Sequence, residues 1–529
     1  MRLTAIWPAA LCVCFSAVLS AATPQSVAQK VLDRLFATNG NYQFKKPKLA
    51  ISTKNNKGGA VYEPWRNTIF LDQKTYDICR TFGPDSLSAL AFILGHELVH
   101  AYQAGQKTGR GNSNFLAYTQ NYGADVRLEK SADIQGLFNA QLSGFQAIRI
   151  MPEVIEAVYN SYGLAGKNLP GYPSLRERKA SASEVRAIAQ NLLDIFTASN
   201  YLAVIGKYQL AIAGYEHILQ YYQGIELYNN LGVTNVLLAQ QYWNPRTDKF
   251  IYPLEVDWYT KITQAISRGE QSLDPALEPF RLDCLDKAAK NFRTAARLNP
   301  RYLPAHTNLV SALNLMGNPV EALKHAELHL LKHVRGKKKY KGPKQDLEMA
   351  EIALGITYAL YPGGMRKKDA ESLFQRLSGS YYVASALYAR QNLNSLHHTQ
   401  SENVLSNLTL PDAFRQTLAA MQLGRTSDLE RQALDANSTV FFAKKRDIES
   451  ATYVLANDRG ASLVSFLRFQ NRHLKGAQVL SGNQDLSAVA YRNLLAARDG
   501  FYLHAKADHA ILKLDAKGGV LEMVKYVVH

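Results

Sequence analysis

Cysteine is scarce: the 529 residues hold four, and two of these, Cys12 and Cys14, fall inside an apolar run at the N-terminus. That excludes a scaffold stapled by many disulfides. Neither Cys12 nor Cys14 follows the small residues that a lipid-attachment cysteine needs, so both read as filler of the run. Cys79 and Cys284 remain; export permits a disulfide between them, but spacing does not establish one. Long apolar stretches are missing too. Beyond residue 22 no eighteen consecutive residues are apolar, which predicts a soluble mature chain. Acidic side chains are outnumbered, 44 against 61 basic. The excess favours contact with anionic lipid or acidic polymer. An exported protein rarely meets nucleic acid, so no nucleic-acid partner is expected.

The rest is ordinary globular chemistry, 47% hydrophobic and 20% charged, with length for two to four domains. Arg2, the apolar run Ala5 to Leu19 and then Ser20-Ala21-Ala22 form a signal peptide over residues 1–22. Cleavage after Ala22 fits; an uncleaved anchor is the alternative.

The chemistry concentrates at His96-Glu97-Leu98-Val99-His100, an H-E-x-x-H stretch within a predicted helix. Asp85 or Ser86 caps its start and Gly105 suits its stop, with Leu90, Ala91, Phe92, Ile93, Leu94, Leu98 and Val99 predicting burial. Residues four apart share a helix face, so both imidazoles point the same way and can hold one Zn²⁺ per chain. Glu97 can take a proton from water that the ion activates. A core role is hard to sustain, because burying three unpaired polar groups costs about several kcal/mol.

Such a hydrolase needs a third protein ligand. A second predicted helix from about Gly123 carries Glu129 and Asp133, again four apart. Glu129 suits the ligand role, with Asp125 in reserve. Asp133 is then placed to accept the free ring N–H of a ligating histidine. Two exposed carboxylates are the plain alternative. Around these helices, Ser26 to Phe36 reads as an amphipathic helix, and Lys48–Ser52 and Thr68–Leu71 as strands. Gly58, Gly59, Ala60 and Val61 suit either a hairpin or an open edge along which substrate backbone pairs as an added strand. The polar stretch Gln106 to Asn121 reads as a loop or lid.

H-E-x-x-H followed by a helical E-x-x-A-D-x-x-G (Glu129, Ala132, Asp133, Gly136) resembles the gluzincin family of CAAX prenyl endopeptidases and the heat-shock protease HtpX. Tyr172-Pro173 to Arg178 is similar to the family's H-P-x-x-x-x-R element, with Tyr172 where the family has histidine. The gap between His100 and Glu129 is short for the family. The resemblance implies a mainly helical zincin-type domain with a small sheet over residues 23–198. Tyr172 would donate to the oxyanion of a tetrahedral intermediate, and Arg178 would do the same or pair with a nearby carboxylate; a structural role is the alternative for both.

From about Asn200 the pattern turns to helical repeats. Ala288, Phe292, Ala295 and Pro300 match a tetratricopeptide second helix, and Leu309 and Ala322 keep its register. Leu354, Gly355, Tyr358, Ala370 and Phe374 form a second unit. Gly206, Ala211 and Tyr215, with Tyr228, Leu231 and Gly232, outline a third. The array spans 199–425, interrupted by an insertion at 243–282. Such arrays bind peptide or protein on a concave face. The run His333 to Lys344, with Arg335, Lys337, Lys338, Lys339 and Lys341, suits a solvated loop or a contact with anionic lipid. His397-His398 has no partner pattern. Residues 426–529 read as a small α+β segment, with Val440 to Phe469 mostly helical and strands near Phe501–Ala505 and Ala510–Leu514. The whole chain is therefore predicted as α+β.

This layout is similar to that of periplasmic beta-barrel assembly-enhancing proteases. The similarity implies a periplasmic endopeptidase acting on polypeptide, with outer-membrane proteins or their assembly machinery as partners. A binding scaffold with a latent zinc site is the rival reading. A peptidase for peptidoglycan cross-links is a weaker third.

Overall fold

Helix α1 (Pro24–Asn39) begins where Thr23 accepts the backbone N–H of Ser26 and ends where Gly40 turns left-handed at φ 70°. A computed structural model describes residues 23–54, 59–105, 125–166, 174–242, 244–254, 275–334, 336, 340, 342, 344–397, 410, 412–420, 430–433, 440–445, 450–456, 462–469, 494–497, 500–515 and 520–529. The expected signal peptide 1–22, the expected loop or lid 106–121, Gly58, Tyr172, Pro173 and most of the basic run after His333 lie outside those residues.

Strands β1 (Lys48–Ser52), β2 (Ala60–Glu63) and β3 (Thr68–Asp72) follow. The turn Pro64 to Asn67 joins β2 to β3, with Asn67 at φ 46°. The sheet order is β1-β3-β2; β1 runs parallel to β3 and β2 antiparallel to it. Ala60 pairs with Leu71 and Glu63 with Thr68, which leaves β2 at an edge. After α2 (Gln73–Arg80), α3 (Ser86–Gly105) runs through the middle of this half. Every residue of α3 from Ser88 to Gln103 is buried, as expected of a helix apolar on all sides. It packs against α1, α2, β2, α4 (Asp125–Leu142) and α5 (Ala147–Ser161).

Helix α6 (Leu175–Val204) starts from a reciprocal cap: Ser174 accepts from the Glu177 backbone and Glu177 accepts from that of Ser174. It packs on α4 and α5, then on α7 (Tyr208–Leu219). At its far end Tyr201 donates to Glu522 and lies 5.6 Å, ring to ring, from Phe466.

The middle of the chain is helical: α8 (Ile225–Ala239), α9 (Glu278–Leu298), α10 (Leu303–Leu315), α11 (Pro319–His329), α12 (Leu331–Val334), α13 (Lys344–Leu360), α14 (Lys367–Leu377), α15 (Val383–His397) and α16 (Asp412–Ala420). They pack in chain-order pairs, α8 on α9, α10 on α11 and α13 on α14. The expected insertion thus falls inside the α8–α9 pair and ends before Leu282, since α9 begins at Glu278. A Cβ on Gly232 would meet the Phe292 ring at 2.5 Å, and one on Gly355 the Phe374 ring at 2.6 Å. Two pairs therefore close on the same glycine–phenylalanine contact. Among the described residues no helix is long and apolar enough to cross a membrane.

The C-terminal part departs from expectation. Val440–Lys445, Ser450–Ala456 and Ser462–Phe469 are strands β5, β6 and β7, with β4 at Glu430–Ala433 before them. Strands β8 (Leu494–Ala497), β9 (Gly500–Ala505), β10 (Ala510–Asp515) and β11 (Val520–Val528) complete one eight-stranded sheet. Its order is β4-β5-β6-β7-β11-β10-β9-β8, and neighbours are antiparallel throughout. Thr452 to Ala456 are all buried, so β6 shows none of the alternation that marks a half-exposed strand. A short apolar run of that kind reads equally well as helix. The described residues are mainly helical with two sheets, consistent with an α+β class.

Candidate metal centre

Helices α3 and α4 cross with their backbones touching. A Cβ on Gly95 would lie 2.9 Å from the carbonyl oxygen of Gly136, and one on Gly136 would lie 2.7 Å from the backbone N of His96. Only glycine on both sides permits this approach. The crossing brings Glu129 and Asp133, on the turns of α4 before Gly136, against His96 and His100.

The result is a triangle of atoms. His96 Nε2 lies 3.0 Å from His100 Nε2 and 3.1 Å from Glu129 Oε2, and His100 Nε2 lies 3.3 Å from Glu129 Oε2. All three side chains are buried. Each imidazole is oriented from behind. His96 Nδ1 is 2.8 Å from Asp133 Oδ1. Asp133 also takes two bonds from the Arg178 guanidinium, at 2.5 and 3.2 Å. Burial pushes the Asp133 pKa up, but Arg178 and His96 outweigh it and hold the carboxyl well below its usual range. It is therefore an acceptor, and His96 Nδ1 carries the hydrogen. His100 Nδ1 is 2.8 Å from Gln103 Oε1. The Gln103 amide nitrogen donates to the Leu128 carbonyl at 3.1 Å, so its oxygen faces the ring and His100 Nδ1 also carries the hydrogen.

In neutral rings both Nε2 atoms are then lone pairs, aimed with a carboxylate oxygen at one spot. Three acceptors this close repel unless a cation lies among them. A tetrahedral ion with bonds of about 2.0–2.1 Å has ligand–ligand edges of about 3.3 Å, so these residues fit zinc. A proton is the lesser substitute. Burial lowers the His96 pKa, but the carboxylates of Asp133 and Glu129 overcome it and raise it to about 10. Glu129, pushed up by burial but pulled down more by the two imidazoles, falls to about 2.

Glu97 lies one residue along α3 from His96 and is fully buried. Asp125 opens α4, but its side chain is outside the described residues. Gly59, at φ 70°, accepts the Asp72 N–H; Ala60 is buried and Val61 half-buried on the β2 edge, and α3 packs on that strand. Of the two roles expected for Arg178, pairing with a nearby carboxylate is the one its position matches. Its guanidinium is buried and paired to Asp133, so it orients the carboxylate behind His96 and is not placed as an oxyanion donor. Replacing Arg178 with Met is expected to cost about 3–5 kcal/mol in thermal or denaturant unfolding. Zinc affinity, measured by chelator competition, should fall roughly 10–100-fold. Arg178→Lys, which keeps the charge but not the fork, should fall between. Unchanged affinity in both variants would remove Arg178 from the centre.

Two contributors escaped sequence reasoning. Gly95 precedes the motif and Gln103 follows His100 by three, one turn on, so spacing alone could have marked Gln103. The thiols of Cys79 and Cys284 are buried and free, with no disulfide between them. Burial pushes Cys79 up to about 12, which keeps it protonated and unreactive.

A cleft of about 530 Å³ opens between this half and the helical array. Val99, Gln103 and Gln135 form one wall, and Tyr221, Tyr228 and Arg297 another. Compared with known protein families and curated proteins, the chain matches none.

Proposed function

We propose that this chain is an exported zinc-dependent endopeptidase of the gluzincin type, hydrolysing peptide bonds of unfolded or misassembled envelope proteins. The observation that carries the reading is the triangle of two imidazole nitrogens and one carboxylate oxygen, each 3.0–3.3 Å from the others. His96, His100 and Glu129 hold the ion. Zinc supplies Lewis acidity, which polarises a carbonyl and acidifies water. Glu97 takes the proton of the attacking water and delivers it to the leaving amine. Asp133, gripped by Arg178, keeps His96 in the tautomer that presents Nε2. The open β2 edge beside α3 suits an extended substrate, whose backbone pairs with a strand irrespective of its side chains. The carboxamides and tyrosines of the adjoining cleft supply further hydrogen bonds to peptide groups.

The helix pairs α8–α9, α10–α11 and α13–α14 act, on this reading, as tetratricopeptide-like repeats that capture substrate or partner. The shared Gly232–Phe292 and Gly355–Phe374 contacts support it. Periplasmic location, and outer-membrane proteins or their assembly machinery as partners, follow from the leader and the layout.

The test is digestion of unfolded casein by the full mature chain. Cleavage is expected, abolished by a zinc chelator and restored by added Zn²⁺. Zinc retained with no cleavage at all would leave a binding scaffold with a latent site.

A further inference from the structure

Helices α10 and α11 bring three more imidazoles together. His306 comes from α10; His325 and His329 lie one turn apart on α11. A ligand nitrogen from each falls within 4.8 Å of the other two. His306 Nε2 is 3.2 Å from the Pro300 carbonyl and donates to it, which leaves His306 Nδ1 as the lone pair. That atom is 3.0 Å from His325 Nε2. The His329 ring stacks on His306 at 4.5 Å between centroids and 8° between planes, and its buried Nδ1 has no hydrogen-bond partner among the described residues.

The His325–His306 hydrogen bond and the stack of His329 on His306 together leave the buried Nδ1 of His329 unsatisfied. An ion shared by one nitrogen of each ring, with His329 turned toward it, would satisfy all three. We infer that His306, His325 and His329 form a second transition-metal site that clips α10 to α11. Three imidazoles without a carboxylate select a borderline ion such as Zn²⁺, Ni²⁺ or Cu²⁺ over Mg²⁺ or Ca²⁺. Burial lowers the pKa of His306 to about 3 and of His325 to about 4, with neighbouring cationic groups acting in the same direction. Neutral rings keep their lone pairs for the ion. Arg293 pairs with Glu321 at 3.1 Å, while Lys332 stays close enough to oppose a dication. The second site is therefore weaker than the first. Its role is structural: the ligands join two neighbouring helices, and ion binding to the folded state alone stabilises that pair.

The probe is Co²⁺, titrated into the metal-free full-length chain and read by visible absorption and calorimetric stoichiometry. The unaltered chain should bind two equivalents, the weaker one lost in His325→Ala/His329→Ala. Glu129→Ala should keep that weaker equivalent and lose the tighter one. His329→Gln, a half-buried exchange that preserves the helix, should weaken the second equivalent at least tenfold with an unchanged circular dichroism spectrum. Uptake by the unaltered chain of a single equivalent that Glu129→Ala abolishes, or of two equivalents by the double variant, overturns the second site. Two equivalents retained in Glu129→Ala would instead count against the first.

Discussion

Glu97→Gln is expected to keep its zinc and lose proteolysis. The change is nearly isosteric, so the fully buried surroundings of α3 need not repack. Glu97 is not among the three residues whose ligand atoms converge, and the two imidazoles are oriented by Asp133, held by Arg178, and by Gln103. Zinc content should therefore stay at its original value. A carboxamide cannot take a proton near neutral pH, so the general-base contribution disappears, roughly 10²–10⁴-fold in rate. Initial rates of casein cleavage, with metal content measured on the same sample, decide it. Full activity would remove Glu97 from the chemistry, whatever the metal did.

Gly136→Ala should be the most damaging change that touches no ligand. Its Cβ would come within 2.7 Å of the Gly95 carbonyl carbon and of the His96 nitrogen, and neither backbone atom can swing aside. The helices must separate, and Glu129 sits about two turns up α4 from the point of contact. Overpacking of this kind costs about 1–3 kcal/mol. Separation also breaks the triangle, so zinc binding should weaken roughly tenfold or more, equivalent to about 1.4 kcal/mol. Gly166→Ala, where an added Cβ meets nothing within 4 Å, is the control and should alter neither quantity. Wild-type affinity in Gly136→Ala would mean that the helix crossing does not set the ligand geometry.

The histidine pair of the candidate metal centre was legible because its signals are local. The i,i+4 spacing puts two side chains on one face of a helix, and the apolar stretch placed the start of α3 near Ser86. Strands β1 and β3 came from the same kind of reasoning. What escaped depends on partners distant in the chain. Gly95 matters only because Gly136 faces it, and His306 only because His325 and His329 return to it on the next helix. The α8–α9 pairing is hidden by the residues inserted between Gly232 and Phe292. The tail sheet misled because β6 is covered on both faces, which erases the period of two.

Helix α6 has a mechanical consequence. Its thirty residues make an unbroken strut, about 45 Å long. One end holds the Arg178 fork on Asp133; the other is tethered by Tyr201 to Glu522 on β11. Movement of the C-terminal sheet is therefore expected to bear on the carboxylate that aims His96, although Glu522 and Asp133 stand far apart in the chain.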